Sequence, residues 1–353
     1  MKKKSLVVLT VLGALASLTF SCKTSPTEPE RRIKTPREMT WTVDTLPVPQ
    51  GAIQVLPEDL LVLLPTDIYL ATWVGHGVIM HYNGSTWTKV LDSGGINCLA
   101  GTTTEGLWAG GYTGNPNGEV LISHYNGVQW KNVSTGVKGE LLDMTQDPEG
   151  NIWACGRNGV ILKYDKTKWI ADTIKIKFNY PVEYFLKSIA YYNGNIYVLA
   201  SSQNTSTLKQ KYFYTRGNIG NWTIADSMFF DSPTSEIKWG NFGLYNLQGN
   251  GELYTYGLSG IWKLNGTAWQ KFFDFDGEIY GMNGISNSYI IAVSAYKRIY
   301  FYNGSNWESI SDLFNVSDPT FEFWNVWTDG YETVIVGFGV VNGIQKTLVW
   351  HGK

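Results

Sequence analysis

One short stretch, Tyr82-Asn83-Gly84-Ser85-Thr86-Trp87, recurs along the chain and decides how it folds. Asn and Gly tolerate the positive backbone φ of a tight hairpin, and the flanking Tyr and Trp can pack against each other across the two strands. The Trp residues that end the six copies are 43, 39, 53, 47 and 38 positions apart. The copies are Tyr82–Trp87, Tyr125–Trp130, Tyr164–Trp169, Tyr214–Trp222, Leu264–Trp269 and Tyr302–Trp307. Because one Trp recurs at a fixed place, we predict that it packs the repeat rather than offering a row of glycan-stacking surfaces.

The intervals between the hairpins contain the same series of short strands. Residues 141–172 contain four short runs of alternating β-branched and aromatic residues, which are bounded by Asn, Asp, Gly and Pro. A repeat of about 40–45 residues with four strands is typical of a β-propeller. The second strand of the repeat is found seven times, at Asp67–Trp73, Gly106–Gly111, Asn151–Gly156, Asn195–Ser201, Glu252–Gly257, Tyr289–Ser294 and Glu332–Gly337. We therefore predict an all-β, seven-bladed β-propeller over residues 40–353.

A further hairpin is divided between the two ends of the chain. Trp350-His351-Gly352 stands where a Tyr-Asn-Gly is expected, and the missing strand is found near the N-terminus as Thr40-Trp41-Thr42-Val43. An open ring would leave two unpaired strand edges, which are templates for aggregation. The sequence therefore predicts that Thr40–Thr45 pairs with Thr347–His351 and closes the ring within one blade.

The N-terminal residues have the pattern of an export signal. Three lysines at positions 2–4 precede the apolar run Leu6–Leu18, which is too short for a permanent membrane span. We predict that residues 1–21 are a signal peptide. Residues 22–39 are rich in Lys, Arg, Glu and Pro and lack an apolar period, which is typical of a flexible tether.

Three resemblances suggest where the protein works. Ser21-Cys22 resembles the cleavage site of bacterial lipoproteins, and this implies that Cys22 carries lipid. The run Gly150–Asp165 resembles the repeats of sensor propellers in two-component regulators, and the hairpin series resembles lipoproteins of Bacteroidetes-like bacteria. These resemblances imply a lipid-anchored protein of the bacterial cell envelope, for which we expect the outer membrane, with the propeller in the periplasm or at the cell surface. A plainly secreted protein is the alternative.

Composition argues against several kinds of partner and chemistry. Loss of the three signal-peptide lysines takes the formal net charge from −2 to −5, which does not favour nucleic acid binding. Metal-ligand spacing and cofactor motifs are absent, so we expect neither. Carboxylates number 30 among 353 residues, and no pair suggests the convergent acids of a glycosidase, so we predict a non-enzyme. Cys98 and Cys155 lie within strand patterns and are predicted to be free thiols.

Loop lengths distinguish the two faces of the predicted propeller. Turns between strands one and two and between three and four share one face, here named the short-turn face. Connections between strands two and three and between blades share the other, named the long-loop face. The long connections are Ile174–Phe185, Phe229–Lys238, Asp312–Phe321, Tyr112–Gly118, Gln203–Gln210 and Phe338–Gln345. Insertions on one face often mark a binding surface.

Aromatic residues on the long-loop face are the candidate partner-binding set. They are Tyr180, Tyr184, Phe185, Trp239, Phe323 and Trp324. We predict a monomeric, non-catalytic envelope lipoprotein that binds an extracytoplasmic protein or a polysaccharide on this face. One alternative is a glycan-active hydrolase or lyase, which would need carboxylates at the mouth of the central channel. The other is an outer-membrane assembly factor, which would bind unfolded or β-strand segments.

Overall fold

A computed structural model provides the structure of the chain. It describes residues 32–49, 52–102, 106–115, 118–176, 182–204, 207, 209–230, 235–247, 251–341 and 344–353. The residues from Ile33 to Lys353 form a compact unit. Within the described ranges, no helix has the length and hydrophobicity needed to cross a bilayer.

The described part of the chain contains 26 strands and two short 3-10 turns, Pro36–Glu38 and Ser311–Leu313. The strands of the first half are β1 Trp41–Thr45, β2 Leu56–Leu64, β3 Asp67–Trp73, β4 Gly77–Tyr82, β5 Trp87–Asp92, β6 Gly95–Ala100, β7 Leu107–Tyr112, β8 Val120–Tyr125, β9 Trp130–Asn132, β10 Leu141–Gln146, β11 Ile152–Gly156, β12 Val160–Tyr164 and β13 Trp169–Thr173. The remaining strands are β14 Val182–Tyr192, β15 Asn195–Asn204, β16 Gln210–Asn218, β17 Asn221–Phe230, β18 Gly243–Leu247, β19 Glu252–Asn265, β20 Ala268–Ser286, β21 Tyr289–Ser294, β22 Ile299–Tyr302, β23 Trp307–Ser309, β24 Glu322–Thr328, β25 Thr333–Val341 and β26 Ile344–Gly352.

These strands form a β-propeller with six blades, so the prediction of seven blades is wrong. Five sheets have four strands and one has six, in the order β18-β19-β20-β21-β22-β23. The cause is β20, a strand of 19 residues that runs unbroken from one sequence repeat into the next. Its first part pairs with β19 as far as Leu258↔Glu278, and its second part pairs with β21 from Ile279↔Ser294 onward. The seven sequence repeats are therefore distributed over six sheets.

The ring is closed as predicted, by strands from the two ends of the chain. Strand β1 pairs with β26 in the antiparallel register Trp41↔Gly352 to Thr45↔Leu348. Beyond this ladder, the amide of Thr40 donates to the carbonyl of Lys353 at 2.8 Å, and the amide of Lys353 donates back at 3.0 Å. The terminal blade thus has no missing outer strand.

The repeated hairpins are packing units with a self-contained turn. The rings of Tyr82 and Trp87 lie 5.2 Å apart at 34°, and the equivalent pair Tyr302 and Trp307 has nearly the same geometry at 5.2 Å and 37°. The Asn83 Oδ1 atom accepts hydrogen bonds from the two amides that follow the turn, at 3.1 and 2.9 Å. Local chemistry therefore sets the turn. The fourth copy differs, because Trp222 is opposite Gly217 instead of a Tyr.

The residues between the sheets form the core, and both cysteines belong to it. Cys98 and Cys155 are buried free thiols, as predicted. The segment predicted as the end of the tether also contacts the propeller. The amide of Lys34 donates to the carbonyl of Gly330 at 2.9 Å, and the Arg37 guanidinium binds the Asp312 carboxylate at 2.9 and 3.0 Å.

Candidate functional site at the mouths of the central channel

The innermost strands line the channel of a propeller, and here most of them carry a bulge near their N-terminal end. Because each inner strand begins at the long-loop face, the bulges surround the channel opening on that face, which we name the long-loop mouth. A bulge inserts one unpaired residue and re-aims its side chain. The inserted residues are Glu58, Asn97, Leu142, Lys187, Tyr280 and Trp324.

Four aromatic side chains cluster at the long-loop mouth, and all are partly exposed. Tyr280 and Trp324 lie 4.9 Å apart between ring centroids. Phe242 is 5.4 Å from Tyr280 and 5.8 Å from Trp324, and Phe338 is 5.9 Å from Trp324. Aromatic pairs at these separations attract each other beyond the burial of their area. The cluster is therefore a preformed apolar surface beside the channel.

Acidic side chains lie at the same mouth, and the pKa values of Glu58 and Glu322 are raised. Burial raises the pKa of Glu58 to about 7, and the negative charges of Asp59 and Glu140 add to the effect. Burial also raises the pKa of Glu322, with a contribution from Glu278. Carboxyl groups that share a confined space resist simultaneous ionisation. The mouth is thus acidic but holds part of its charge neutralised by protons.

Basic groups balance this charge only in part. Burial lowers the pKa of Lys187, and nearby Glu278 opposes the shift. The Arg157 guanidinium lies 3.8 Å from the Glu140 carboxylate and 5.0 Å from the ring centroid of Phe185. Among the described residues of the mouth, these two basic groups stand against the four carboxyl groups of Glu58, Glu140, Glu278 and Glu322. The remaining character of the opening is acidic and aromatic.

Two further acids lie deeper in the channel and join neighbouring repeats. Asp59 accepts hydrogen bonds from the amides of Leu60 and Leu99 at 2.8 and 2.7 Å. Asp143 accepts bonds from the Met144 amide and from Ser188 Oγ and the Ile189 amide, each at 2.8 Å. Burial raises the pKa of Asp59 to about 6 and that of Asp143 to about 7. These carboxyl groups act as structural acceptors.

The candidate residues from the sequence divide between the surface and the core. Trp324 belongs to the aromatic cluster of the mouth, and Phe185 packs under Arg157 nearby. Tyr184 is partly exposed, with its hydroxyl donating to the carbonyl of Asn158 at 2.9 Å.

Trp239 and Phe323 are core residues, 1% and 0% exposed, and they present no surface to a partner. Tyr180 and Cys22 lie outside the described residues.

Sequence reasoning missed most of the mouth. Glu58, Phe242 and Tyr280 lie at or near the starts of inner strands and not in the long connections themselves. The signal that was available is a charged or aromatic residue that interrupts the alternation of a first strand, as at Glu58, Lys187, Tyr280 and Trp324. That position is where the structure places the bulges.

The opposite end of the channel, at the short-turn face, contains a cavity of about 770 Å³. The ends of inner strands and the turns that follow them line it over five successive repeats. Its lining includes Gln146, Tyr191, Tyr192, Asn193 and Asn246. We name this opening the short-turn mouth. Within the described ranges, no group of three or more His, Cys, Asp or Glu side chains could hold a metal ion.

Comparison with known proteins supports the fold. No protein-family model and no curated protein matches the chain. A solved structure described as YCF48 bound to D1 peptide is similar over 88% of this chain and 96% of that chain, with a TM-score of 0.57 and 15% identity. YCF48 from Cyanidioschyzon merolae gives a TM-score of 0.53 at 13% identity, over 88% of this chain and 98% of that one. The WD40 repeats of RRP9 give 0.56 at 9% identity, over 88% and 97%. The chain is a β-propeller. At these identities the likeness extends to the fold alone.

Proposed function

We propose that this protein is a non-catalytic binding scaffold whose long-loop mouth holds an extended segment of a partner protein carrying basic side chains. One observation carries the proposal: a preformed cluster of partly exposed aromatic rings lies at the same end of the channel as a group of acidic side chains. The solved YCF48 propeller bound to a peptide supports peptide binding as a use of this fold. Because the identity with YCF48 is low, we infer the ligand from the residues of the present chain.

The electrostatics of the mouth favour a cation. Glu58 has a pKa near 7 because burial and neighbouring acids disfavour its charged form. A Lys or Arg side chain that enters the mouth stabilises the ionised carboxylate and releases the bound proton. The rings of Tyr280 and Trp324 add cation–π attraction and a surface for apolar side chains. The expected ligand is therefore a peptide with a basic residue next to an apolar one.

This mode of binding has a defined pH dependence. Since the ligand binds the ionised form of Glu58, binding strengthens as pH rises through its pKa of about 7. We expect the dissociation constant of a selected peptide to fall between pH 6 and pH 8, by up to about tenfold. The Glu58→Gln variant removes the titrating group, and its affinity should vary less over the same range.

The test is selection of peptides by the full-length chain in detergent from a phage-displayed random library. The expected result is enrichment of sequences that pair Lys or Arg with an apolar residue, lost in a Glu58→Gln, Glu322→Gln double variant. Asp274→Asn, an exposed acid away from the mouth, is the matched control. Enrichment of acidic sequences, or no effect of the double variant, contradicts the proposal. Enrichment of alternating apolar β-strand sequences without basic residues would favour the assembly-factor alternative instead.

The proposal includes the place where the protein works. We propose that Cys22 is acylated and anchors the propeller in the bacterial cell envelope, as the Ser21-Cys22 resemblance implies. Several acyl chains give stable membrane attachment. Expression in a bacterial host with radiolabelled palmitate should label the wild-type chain and leave Cys22→Ala unlabelled and released from membranes. Equal membrane association of both chains would contradict anchoring at Cys22.

A glycan-active enzyme remains a second candidate because both acids and aromatics surround the mouth. Glu58 retains a proton near neutral pH while Asp59 and Glu140 lie close enough to influence it. A protonated acid beside an ionised carboxylate is the pairing that glycoside hydrolysis uses. Release of reducing ends from cell-wall or capsular polysaccharide by the wild type, abolished in Glu58→Gln, would support this candidate. Equal release by both proteins, or none, would count against it.

A further inference from the structure

The short-turn mouth offers a second, chemically different site. Its cavity of about 770 Å³ lies at the opposite end of the channel from the acids and the aromatic cluster. Sites for small ligands occupy roughly 300–1,000 Å³ and present a few polar groups among apolar walls. The walls here include Leu61, Leu99 and Met144, and the polar groups come from the ends of inner strands and the turns that follow them. The cavity therefore has the size and composition of a ligand site.

The described polar lining of this cavity carries a single ionisable acid and is otherwise uncharged. Among its described lining residues, Asp147 is the one carboxylate, and there is no Lys, Arg or His. The Asp147 oxygens are already used, because they accept bonds from the amide and Nδ2 of Asn151, both at 2.8 Å, and from Trp153 Nε1 at 2.9 Å. An anionic ligand would find no counter-ion among these groups, and a cationic ligand would find only this carboxylate, whose oxygens are already bonded. A neutral ligand fits the electrostatics better.

Amide side chains supply the hydrogen-bonding capacity of the site. The amide oxygen of Gln146 is buried and has no hydrogen-bond partner among the described residues. Asn246 uses its Nδ2 atom to bond the carbonyl of Tyr191 at 2.6 Å, and Asn193 is exposed at the tip of its turn. An amide offers both donor and acceptor atoms, which suits hydroxyl groups. The Gln146 side chain lines the cavity, and its unpaired oxygen becomes an acceptor for a ligand hydroxyl once the side chain turns toward the cavity.

Aromatic rings and glycines complete the lining. Tyr191 and Tyr192 are both half-buried at the cavity wall. Gly194 and Gly251 adjoin the site in open space, since a Cβ added at either would meet nothing within 4 Å. The tyrosine rings provide a flat apolar surface, and the neighbouring accessible backbone provides polar groups. A sugar ring likewise combines an apolar face with polar hydroxyl groups.

We propose that the short-turn mouth binds a short neutral oligosaccharide, with Gln146, Asn193 and Asn246 bonding its hydroxyl groups and Tyr191 or Tyr192 packing on a sugar face. This site is separate from the long-loop mouth and does not rest on peptide binding there. A scaffold with both sites would connect a glycan at one end of its channel with a protein at the other.

The experiment is retention of the full-length chain in detergent on a glycan array of short neutral oligomers and uronic or sulfated oligomers. We expect retention on neutral glycans, reduced about tenfold or more in a Gln146→Leu, Asn193→Ala double variant. Thr102→Trp, at an exposed lining position, should block the cavity without touching the core. Trp324→Ala, at the other mouth, should bind the glycan like the wild type.

Each outcome decides the proposal. Retention on no neutral glycan, a preference for anionic glycans, or unchanged binding by the Thr102→Trp variant overturns it. Thermal denaturation of each variant separates loss of binding from loss of folding. Failure of peptide selection at the long-loop mouth with glycan retention intact would overturn the proposed function and leave the glycan site standing.

Discussion

The two mouths of the channel are built from the same inner strands and differ in chemistry. At the long-loop mouth, bulges insert one extra residue near the start of most inner strands, and these residues include Glu58, Lys187, Tyr280 and Trp324. At the short-turn mouth the ladder reaches the turns, and the lining is mainly amides, small residues and apolar side chains. The difference shows that a regular repeat creates chemical diversity where its ladder is interrupted. Substitutions at Asp143 between the mouths, at Trp324 in the long-loop mouth and at Lys166 in a turn test this comparison.

The largest effect, on stability, is expected at Asp143, one of the two buried acids in the channel between the mouths. Asp143→Ala removes the acceptor of three hydrogen bonds and leaves the Met144 and Ile189 amides unpaired. An unsatisfied buried donor costs about 1–3 kcal/mol, so we expect the free energy of unfolding to fall by about 3 kcal/mol. Urea denaturation measures it. The Asp143→Asn variant keeps an acceptor and should lose less of its free energy of unfolding. Equal stability of Asp143→Ala and the wild type would show that the hydrogen bonds to Asp143 do not stabilise the fold.

The same residue predicts how stability depends on pH. Burial raises the pKa of folded Asp143 to about 7 from an ordinary 3.8, so the folded chain keeps a proton that the unfolded chain releases. The free energy of unfolding therefore falls as pH rises from about 4 to about 7. We expect the wild type to lose about 1–3 kcal/mol more than Asp143→Asn over this interval. Parallel pH profiles of the two proteins would contradict a protonated Asp143.

At the long-loop mouth, Trp324→Ala should reduce peptide binding without comparable loss of stability. The ring is partly exposed and contacts Phe242, Tyr280 and Phe338. Truncating an aromatic anchor in a binding site costs about 1–2 kcal/mol, or roughly a tenfold weaker peptide complex. Titration calorimetry with a selected peptide measures it. The control is Val128→Ala, an exposed apolar residue in a hairpin turn of the short-turn face, and an equal loss of affinity in that variant would deny the mouth a special role.

The smallest effect is expected at the turns of the short-turn face. Lys166 has a φ of 72° where other copies place glycines such as Gly84 with a φ of 88°. A side chain at positive φ is strained, so Lys166→Gly should stabilise the protein by about 0.5–1 kcal/mol in thermal denaturation. The reverse change, Gly84→Lys, should destabilise it. A destabilised Lys166→Gly would indicate that its side chain, rather than turn geometry, supports this face.

Local features of the fold were predictable from the sequence, and features set by strand pairing were not. The hairpins depend on Asn83 and its equivalents bonding their own turn, so the repeat and the closing strand could be recognised. The blade count was wrong because β20 continues through Asp276-Gly277, and no turn there separates the two repeats. Residues such as Asp and Gly allow a strand to end in a turn, but they do not require it to end. Whether the ladder continues depends on strands distant in sequence.

The candidate site was predictable only in part for the same reason. Phe323 and Trp324 are neighbours, yet Phe323 is buried while Trp324 reaches the mouth as the inserted residue of a bulge. Composition identifies both as aromatic and cannot say which one the register turns inward. Trp239 likewise fills the core beside Tyr214, at 5.3 Å between ring centroids. The register of pairing, which the sequence does not display, decides which aromatic side chains a partner can reach.

The reciprocal bonds between Thr40 and Lys353 hold the two ends of the propeller side by side, so the chain could be joined there without a change in the fold. A short linker from Lys353 to Thr40, with a new opening at the exposed Asn193-Gly194 turn, would leave every strand with its present neighbours. Circular permutation is tolerated at exposed turns of this kind. Such permuted chains would move both chain ends from the closing blade to another blade while the order of the sheets around the ring stays the same.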